Sequence, residues 1–151
     1  MLFRSNLPNF EIDGVVIPQS KSAKYLGVIL DSKLNFTEHI KHAVAKTKRS
    51  IFLLRILIYK RYGPSPKLMR MCYTTIARSK LSYACHLWQH KKGKHKLLKQ
   101  CQRLTMLTFA STWKSMPTAG LEVIWGLPPI HLHLCNVALN TYGRIHEKIS
   151  H

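Results

Sequence analysis

The chain has 151 residues, 46% of them apolar and 20% charged, with 24 Lys and Arg against 6 Asp and Glu and a formal net charge of +18. A chain of that length and composition can bury an ordinary hydrophobic core and is neither a disordered polar tail nor a membrane-embedded protein, and the charge calls for an anionic partner. The acids are Glu11, Asp13, Asp31, Glu38, Glu122 and Glu147, so the 83 residues between Glu38 and Glu122 hold 18 cations and no carboxylate. Two-metal nucleotidyl transfer and acid–base hydrolysis need clustered carboxylates, which the middle of this chain cannot supply. A surface rich in cations and empty of acids is what neutralisation of a phosphate backbone requires.

In chain order, Phe10 to Ile12 and Val15 to Ile17 flank Asp13-Gly14, the pattern of two short strands joined by a two-residue turn. A third strand is expected over Tyr25 to Leu30, with Gly27 marking a close approach of backbone or ligand, so the chain opens on a small meander. Thr37 reads as the N-cap of a long amphipathic helix with Glu38 in its first turn. Its buried stripe is Ile40, Val44, Thr47, Ile51, Leu54 and Ile58, at steps of four and three, and it ends near Gly63. Lys41, Lys48, Arg49 and Arg55 lie off that stripe, on a face suited to a phosphate backbone. Ser65-Pro66 is an N-cap followed by proline in the first turn, with Leu68, Cys72, Tyr73 and Ile76 as the next stripe.

Residues 81–90 are aromatic and apolar, and their Tyr83 and Trp88 suit either a core or base stacking, the core being favoured by their neighbours. A basic turn with Lys91, Lys92, Lys94 and Lys96 follows, then a helical stripe of Leu97, Cys101, Leu104 and Thr108. A short helix over Thr118 to Trp125 should stop at Gly126, and Pro128-Pro129 should start a last helix facing inward through Ile130, Leu134, Val137, Ile145 and Ile149.

The four cysteines, Cys72, Cys85, Cys101 and Cys135, form no C-x-x-C pair and sit in apolar segments, which argues for free core thiols in a reducing, intracellular compartment (nucleus or cytoplasm) rather than a zinc site. The greasiest stretch is nine residues broken by Arg55, so no signal peptide or membrane span is expected. His131 and His133 stand two apart, on different faces of a helix, with no third ligand in view. No G-x-S-x-G elbow and no Gly-rich phosphate loop is present.

The order of several blocks carries a resemblance: KYLGVILD at Lys24 to Asp31, then Phe36 to Ile40, GPSPK at Gly63 to Lys67, LSYACHLW at Leu81 to Trp88, LLKQCQRL at Leu97 to Leu104, and MPTAGLEVIWGLPPIHL at Met116 to Leu132. Together, over about residues 10 to 145, they resemble the reverse transcriptases of non-LTR, LINE-type and jockey-like retrotransposons from the end of the palm through the thumb and connecting region. The chain departs from that pattern at Ser79, Ser82 and Ala84, where the family commonly has proline, an acid and glycine, and at His131, where an acid usually stands.

The resemblance implies an α+β, mostly α fold: a small N-terminal antiparallel β-meander followed by a thumb-like helical bundle. It divides the chain into an end-of-palm and primer-grip element over residues 1–36, a basic thumb-like helical domain over 37–112 and connecting helices over 113–151. Tyr25, Leu26, Gly27 and Val28 would correspond to the primer grip, and the backbone contacts would fall to Lys41, Lys48, Arg49, Lys91, Lys92, Lys94 and Lys96. In this family the catalytic aspartates lie in the palm, upstream of the KYLG-like block. This stretch is therefore expected to hold no catalytic residue, no metal ligand and no cofactor, with magnesium and catalysis belonging to a palm. The implied partners are an RNA/DNA hybrid or RNA duplex and a palm-bearing polymerase chain. Two alternatives of different kinds are a small self-contained RNA-binding or ribonucleoprotein-structural protein and a non-functional remnant of a decayed element.

Overall fold

A computed structural model describes residues 10–12, 15–17, 20–59, 65–90, 95–110 and 114–149. The fold is α+β and mostly helical, with the β-structure confined to the N-terminal side. Strands β1 (Phe10–Ile12) and β2 (Val15–Ile17) pair antiparallel with Ile12 opposite Val15, as the sequence suggests, although Asp13-Gly14 itself lies outside the described residues.

The expected third strand is instead a second hairpin. Strand β3 (Ser22–Tyr25) pairs with β4 (Val28–Asp31), Tyr25 opposite Val28, and the two hairpins form separate sheets rather than one meander. Leu26 and Gly27 have φ of 46° and 81°. Two central residues with positive φ make a type I′ turn, whose twist matches the flanking strands. Gly27 is therefore a turn glycine. Leu26 takes a left-handed conformation that costs a non-glycine residue about 1–2 kcal/mol.

Helix α1 (Thr37–Tyr59) begins one residue earlier than a Thr37 cap would allow. The Phe36 carbonyl accepts from the Ile40 amide, and the Asp31 carboxylate, not the Thr37 hydroxyl, accepts from the Phe36 amide at 2.7 Å. Phe36 itself is buried at φ 57°, pinned between the hairpin and the helix. The stripe of α1 is as expected: Ile40, Val44, Thr47 and Ile51 are buried and Leu54 partly so, while the Ile58 side chain lies outside the described residues.

The Ser65 hydroxyl caps α2 (Pro66–Cys72), accepting from the Leu68 amide at 3.2 Å, with proline in the first turn. Its inward residues are Met69, Tyr73 and Ala77 rather than Leu68, Cys72 and Ile76, and Leu81 continues the row. Four-residue steps drift by roughly 40° each around an ordinary helix. The chain holds the row in line by widening into a π-helical turn at Tyr73–Arg78 before α3 (Ser79–Ser82). Ala84, at φ 52°, then breaks the helix ahead of α4 (Cys85–Trp88).

Helix α5 (His95–Ala110) is turned by about one residue from the expected stripe. Leu98, Cys101, Gln102, Thr105, Met106 and Phe109 are buried, whereas Leu97 and Leu104 are exposed. Apolarity alone favours the leucines, but the two buried polar groups are bonded internally: Thr105 donates to the Cys101 carbonyl, and Gln102 bridges to the α6–α7 connection. Helix α6 (Thr118–Trp125) ends at Gly126, φ 57°, whose amide turns back to the Val123 carbonyl while the Leu127 amide donates to the Glu122 carbonyl. Helix α7 (Ile130–Ile149) follows the proline pair. Its Ile130 and Leu134 are buried as expected, but Ile145 and Ile149 are exposed.

Two hydrophobic cores result. The first joins Val28 and Phe36 to Ile40, Val44, Leu81, Trp88, Leu98, Cys101, Ile130 and Leu134, drawing on the second hairpin and on helices from α1 to α7. The second gathers Ile51, Met69, Tyr73, Met106, Phe109, Leu121 and Trp125. Helices α1 and α5 contribute to both, with the buried Thr47 and Thr105 each bonded back to the carbonyl four residues earlier in its own helix. Of the free cysteines, Cys85 and Cys101 are core residues and burial lifts both thiols, Cys101 to about 11, while Cys72 and Cys135 are half-buried.

Candidate nucleic-acid interface

The four residues singled out as a primer-grip-like element form the tip of the second hairpin. Tyr25 and Leu26 are exposed, whereas Val28 anchors the tip in the first core. The turn is also held from outside: the Tyr83 hydroxyl donates to the Leu26 carbonyl at 2.7 Å, across 57 positions of sequence. Tyr83 lies beside Gly27, where an added Cβ would touch its ring and hydroxyl at 3.5 Å. The two aromatics of residues 81–90 thus part company. Trp88 is a core residue whose ring N–H donates to the Tyr83 carbonyl, and Tyr83 is half-exposed and committed to the hairpin.

Helix α1 runs away from this tip with Lys41, Lys46, Lys48 and Arg49 exposed off its buried stripe, Lys46 on the flank that faces α3 and Lys48 and Arg49 beside Leu104 and Thr108 of α5. Lys41 forms an exposed ion pair with Glu38 at 3.2 Å, which neutralises part of its charge. Further along the same helix the exposed residues become apolar, Phe52 and Leu53 being 62% and 60% exposed. Lys96 is exposed near the start of α5, while Lys91, Lys92 and Lys94 lie outside the described residues.

A cleft of about 480 Å³ opens between the hairpin tip, α1 and α3, and the sequence alone does not reveal it. Gly27, His39, His42, Lys46, Lys80 and Tyr83 line it, and none of its lining residues is an acid. Lys80 is drawn in by a hydrogen bond from its ammonium to the Ser50 hydroxyl of α1. His39 is 3% exposed, its Nδ1 accepting from the Ile29 amide at 3.4 Å and its ring tilted against Trp88. Burial holds its pKa below the ordinary value of 6.5, and the nearby His42 adds to that. The one hint of this histidine in the sequence is its place in the Phe36 to Ile40 block.

A second cleft, between α5, α6 and α7, is lined by His95, Lys96, Lys99, Arg103, Glu122 and His131. Arg103 is spent on structure, donating to the Met116 and Lys114 carbonyls and to the Thr118 hydroxyl. Glu122 faces the lysines here, and burial raises its pKa while Lys99 pulls it down. His131 sits edge-on to His95 rather than beside His133. Among the described residues no group of three His, Cys, Asp or Glu could hold a metal ion, and no helix is long and apolar enough to cross a membrane.

The chain is similar to proteins of insect retrotransposable elements. It is 24% identical over 128 residues to a putative 115 kDa protein in the type-1 retrotransposable element R1DM of Drosophila melanogaster, a match covering 83% of this chain and 12% of that protein. A probable RNA-directed DNA polymerase from the X-element transposon of the same species is 30% identical over 87 residues, 58% of this chain and 10% of the polymerase. A retrovirus-related Pol polyprotein from the type-1 element R1 4 of Nasonia vitripennis is 26% identical over 126 residues, 82% of this chain and 32% of the polyprotein. The chain thus spans about a tenth of the length of the first two. No protein-family model and no solved structure matches it.

Proposed function

We propose that this chain, a homologue of the RNA-directed DNA polymerases and Pol polyproteins of non-LTR retrotransposons, is the primer-grip and thumb segment of such an enzyme and grips the template-primer duplex through its basic surface. The observation that carries this assignment is the α1 surface. One side of the helix is closed into both cores, and the rest of its surface offers Lys41, Lys48 and Arg49 to solvent. Such a surface follows a duplex by its backbone and carries no base-reading code. Lys96 at the start of α5 would extend it, with Lys91, Lys92 and Lys94 in the adjoining basic turn.

The chemical step lies elsewhere. The 151 residues contain no adjacent pair of aspartates, and nucleotidyl transfer needs clustered carboxylates holding magnesium ions. We assign those ions and that chemistry to a palm, and to this stretch the holding of the duplex. Exposed apolar side chains on α6 and α7, Val123, Ile124 and Leu139 among them, suit packing against further polymerase structure.

Replacing Lys48 and Arg49 together by Ala tests the assignment in a duplex-binding titration. Affinity should fall by the same factor on unrelated sequences, and the slope of log affinity against log salt should drop by about one unit for each phosphate the variant no longer neutralises. An unchanged slope would remove α1 from the interface.

A further inference from the structure

We propose that the cleft between the hairpin tip, α1 and α3 is a seat for one phosphate of the nucleic-acid strand lying at the tip, with His42, Lys46 and Lys80 as its ligands. This site is separate from the outer face of α1 that Lys48 and Arg49 occupy, and it depends on the chain binding nucleic acid at all.

Lys46, Lys80 and the His42 imidazole line one concave space with no carboxylate in its lining. The two ammonium groups brought to one cleft repel one another unless an anion sits between them. Lys80 is not merely solvated there, since its bond to Ser50 holds the ammonium at the joint of α1 and α3. The inner wall is His39, buried and kept neutral, so it shapes the cleft without adding to the repulsion. The outer wall is Tyr83 with the Gly27 backbone, the same contact that fixes the hairpin turn.

The volume of about 480 Å³ accommodates a phosphate with its flanking sugars but not a duplex. Leu26 holds a left-handed backbone at the tip with its side chain 75% exposed. The type I′ turn sets that backbone, and it leaves the leucine side chain standing out at the tip. A strand reaching the tip would find exposed Tyr25 and Leu26 on one side and the cationic cleft on the other.

The test uses the full chain and an RNA/DNA primer-template in which single primer phosphates are replaced, one position at a time, by neutral methylphosphonates. For the unaltered protein, one position near the primer end should weaken binding about tenfold, the effect of removing one charged hydrogen bond. Lys46→Ala should weaken binding to the normal hybrid by a similar factor and show no further loss at that same position, while Lys46→Arg should restore both. Additive losses at every position, or a Lys46→Ala protein that binds like the unaltered one while Lys48→Ala/Arg49→Ala weakens, would overturn the cleft and leave the duplex assignment standing. Absence of hybrid binding by the unaltered protein would overturn both. Phosphorus-31 line broadening of inorganic phosphate that disappears in Lys46→Ala, without a methylphosphonate effect, would mean a free phosphate rather than a strand and would also overturn the proposal.

Discussion

Tyr83→Phe is the smallest change that separates the hairpin tip from the helical body. The β3–β4 hairpin has little to hold it: among its eight strand residues Val28 alone is fully buried, Leu30 packs partly on the first core, and Leu26 opposes folding with its left-handed backbone. Burying Val28 contributes about 1.5 kcal/mol, offset by about 1–2 kcal/mol of strain at Leu26. Against those terms the Tyr83 hydroxyl bond to the Leu26 carbonyl, worth about 1 kcal/mol, is a large share of what docks the tip. Its loss should raise the population of the undocked hairpin about fivefold. Hydrogen exchange reads this directly. Amides of Ser22 to Tyr25 and Val28 to Asp31 should exchange about fivefold faster in the variant, with amides of Cys101 and Thr105 in α5 unchanged. Unchanged hairpin rates would mean the hydroxyl does not dock the tip, and uniform acceleration would mean Tyr83 acts through global stability instead.

Gln102→Leu should be among the costly substitutions, because Gln102 is 1% exposed and accepts from the Ile130 amide at 2.7 Å while donating to the Pro128 carbonyl at 3.1 Å. Orphaning both groups should remove about 3 kcal/mol and lower Tm by about 6–12 °C, and a change below about 1 kcal/mol would refute the bridge. Stability should also fall as pH drops below 6.5. Burial holds His39 below its ordinary pKa in the folded chain, so the unfolded chain takes up the proton first, and stability present above 6.5 is lost as pH falls from there towards the lower folded value. The slope from this residue is at most about 1.4 kcal/mol per pH unit. Urea midpoints at pH 7.5 and 5.5 should draw together in His39→Gln, and an undiminished difference would place the effect on other groups.

Where apolar spacing was clean, the sequence was sufficient: the α1 stripe from Ile40 to Ile51, the Ser65-Pro66 start of α2 and the Gly126 stop of α6 are all found as expected. The misses have physical causes. Leu26-Gly27 carries none of the Asn-Gly or Asp-Gly signal of a type I′ turn, so Tyr25 to Leu30 reads as one strand. The face of α5 depends on Gln102 and Thr105 being bonded inside, and the face of α2 on a π-helical turn; neither leaves a trace in apolar periodicity. The outer cations Lys41, Lys48 and Arg49 were legible as residues off a buried stripe. The cleft was not, because it is made by Tyr83 meeting Leu26 across 57 positions and Lys80 meeting Ser50 across 30.

The most direct test of the duplex-gripping role is an anisotropy titration of the chain against a labelled RNA/DNA primer-template hybrid and a single-stranded control at several salt concentrations. A duplex grip predicts a preference for the hybrid, with log affinity falling linearly in log salt. Equal weak binding to hybrid and single strand would contradict it.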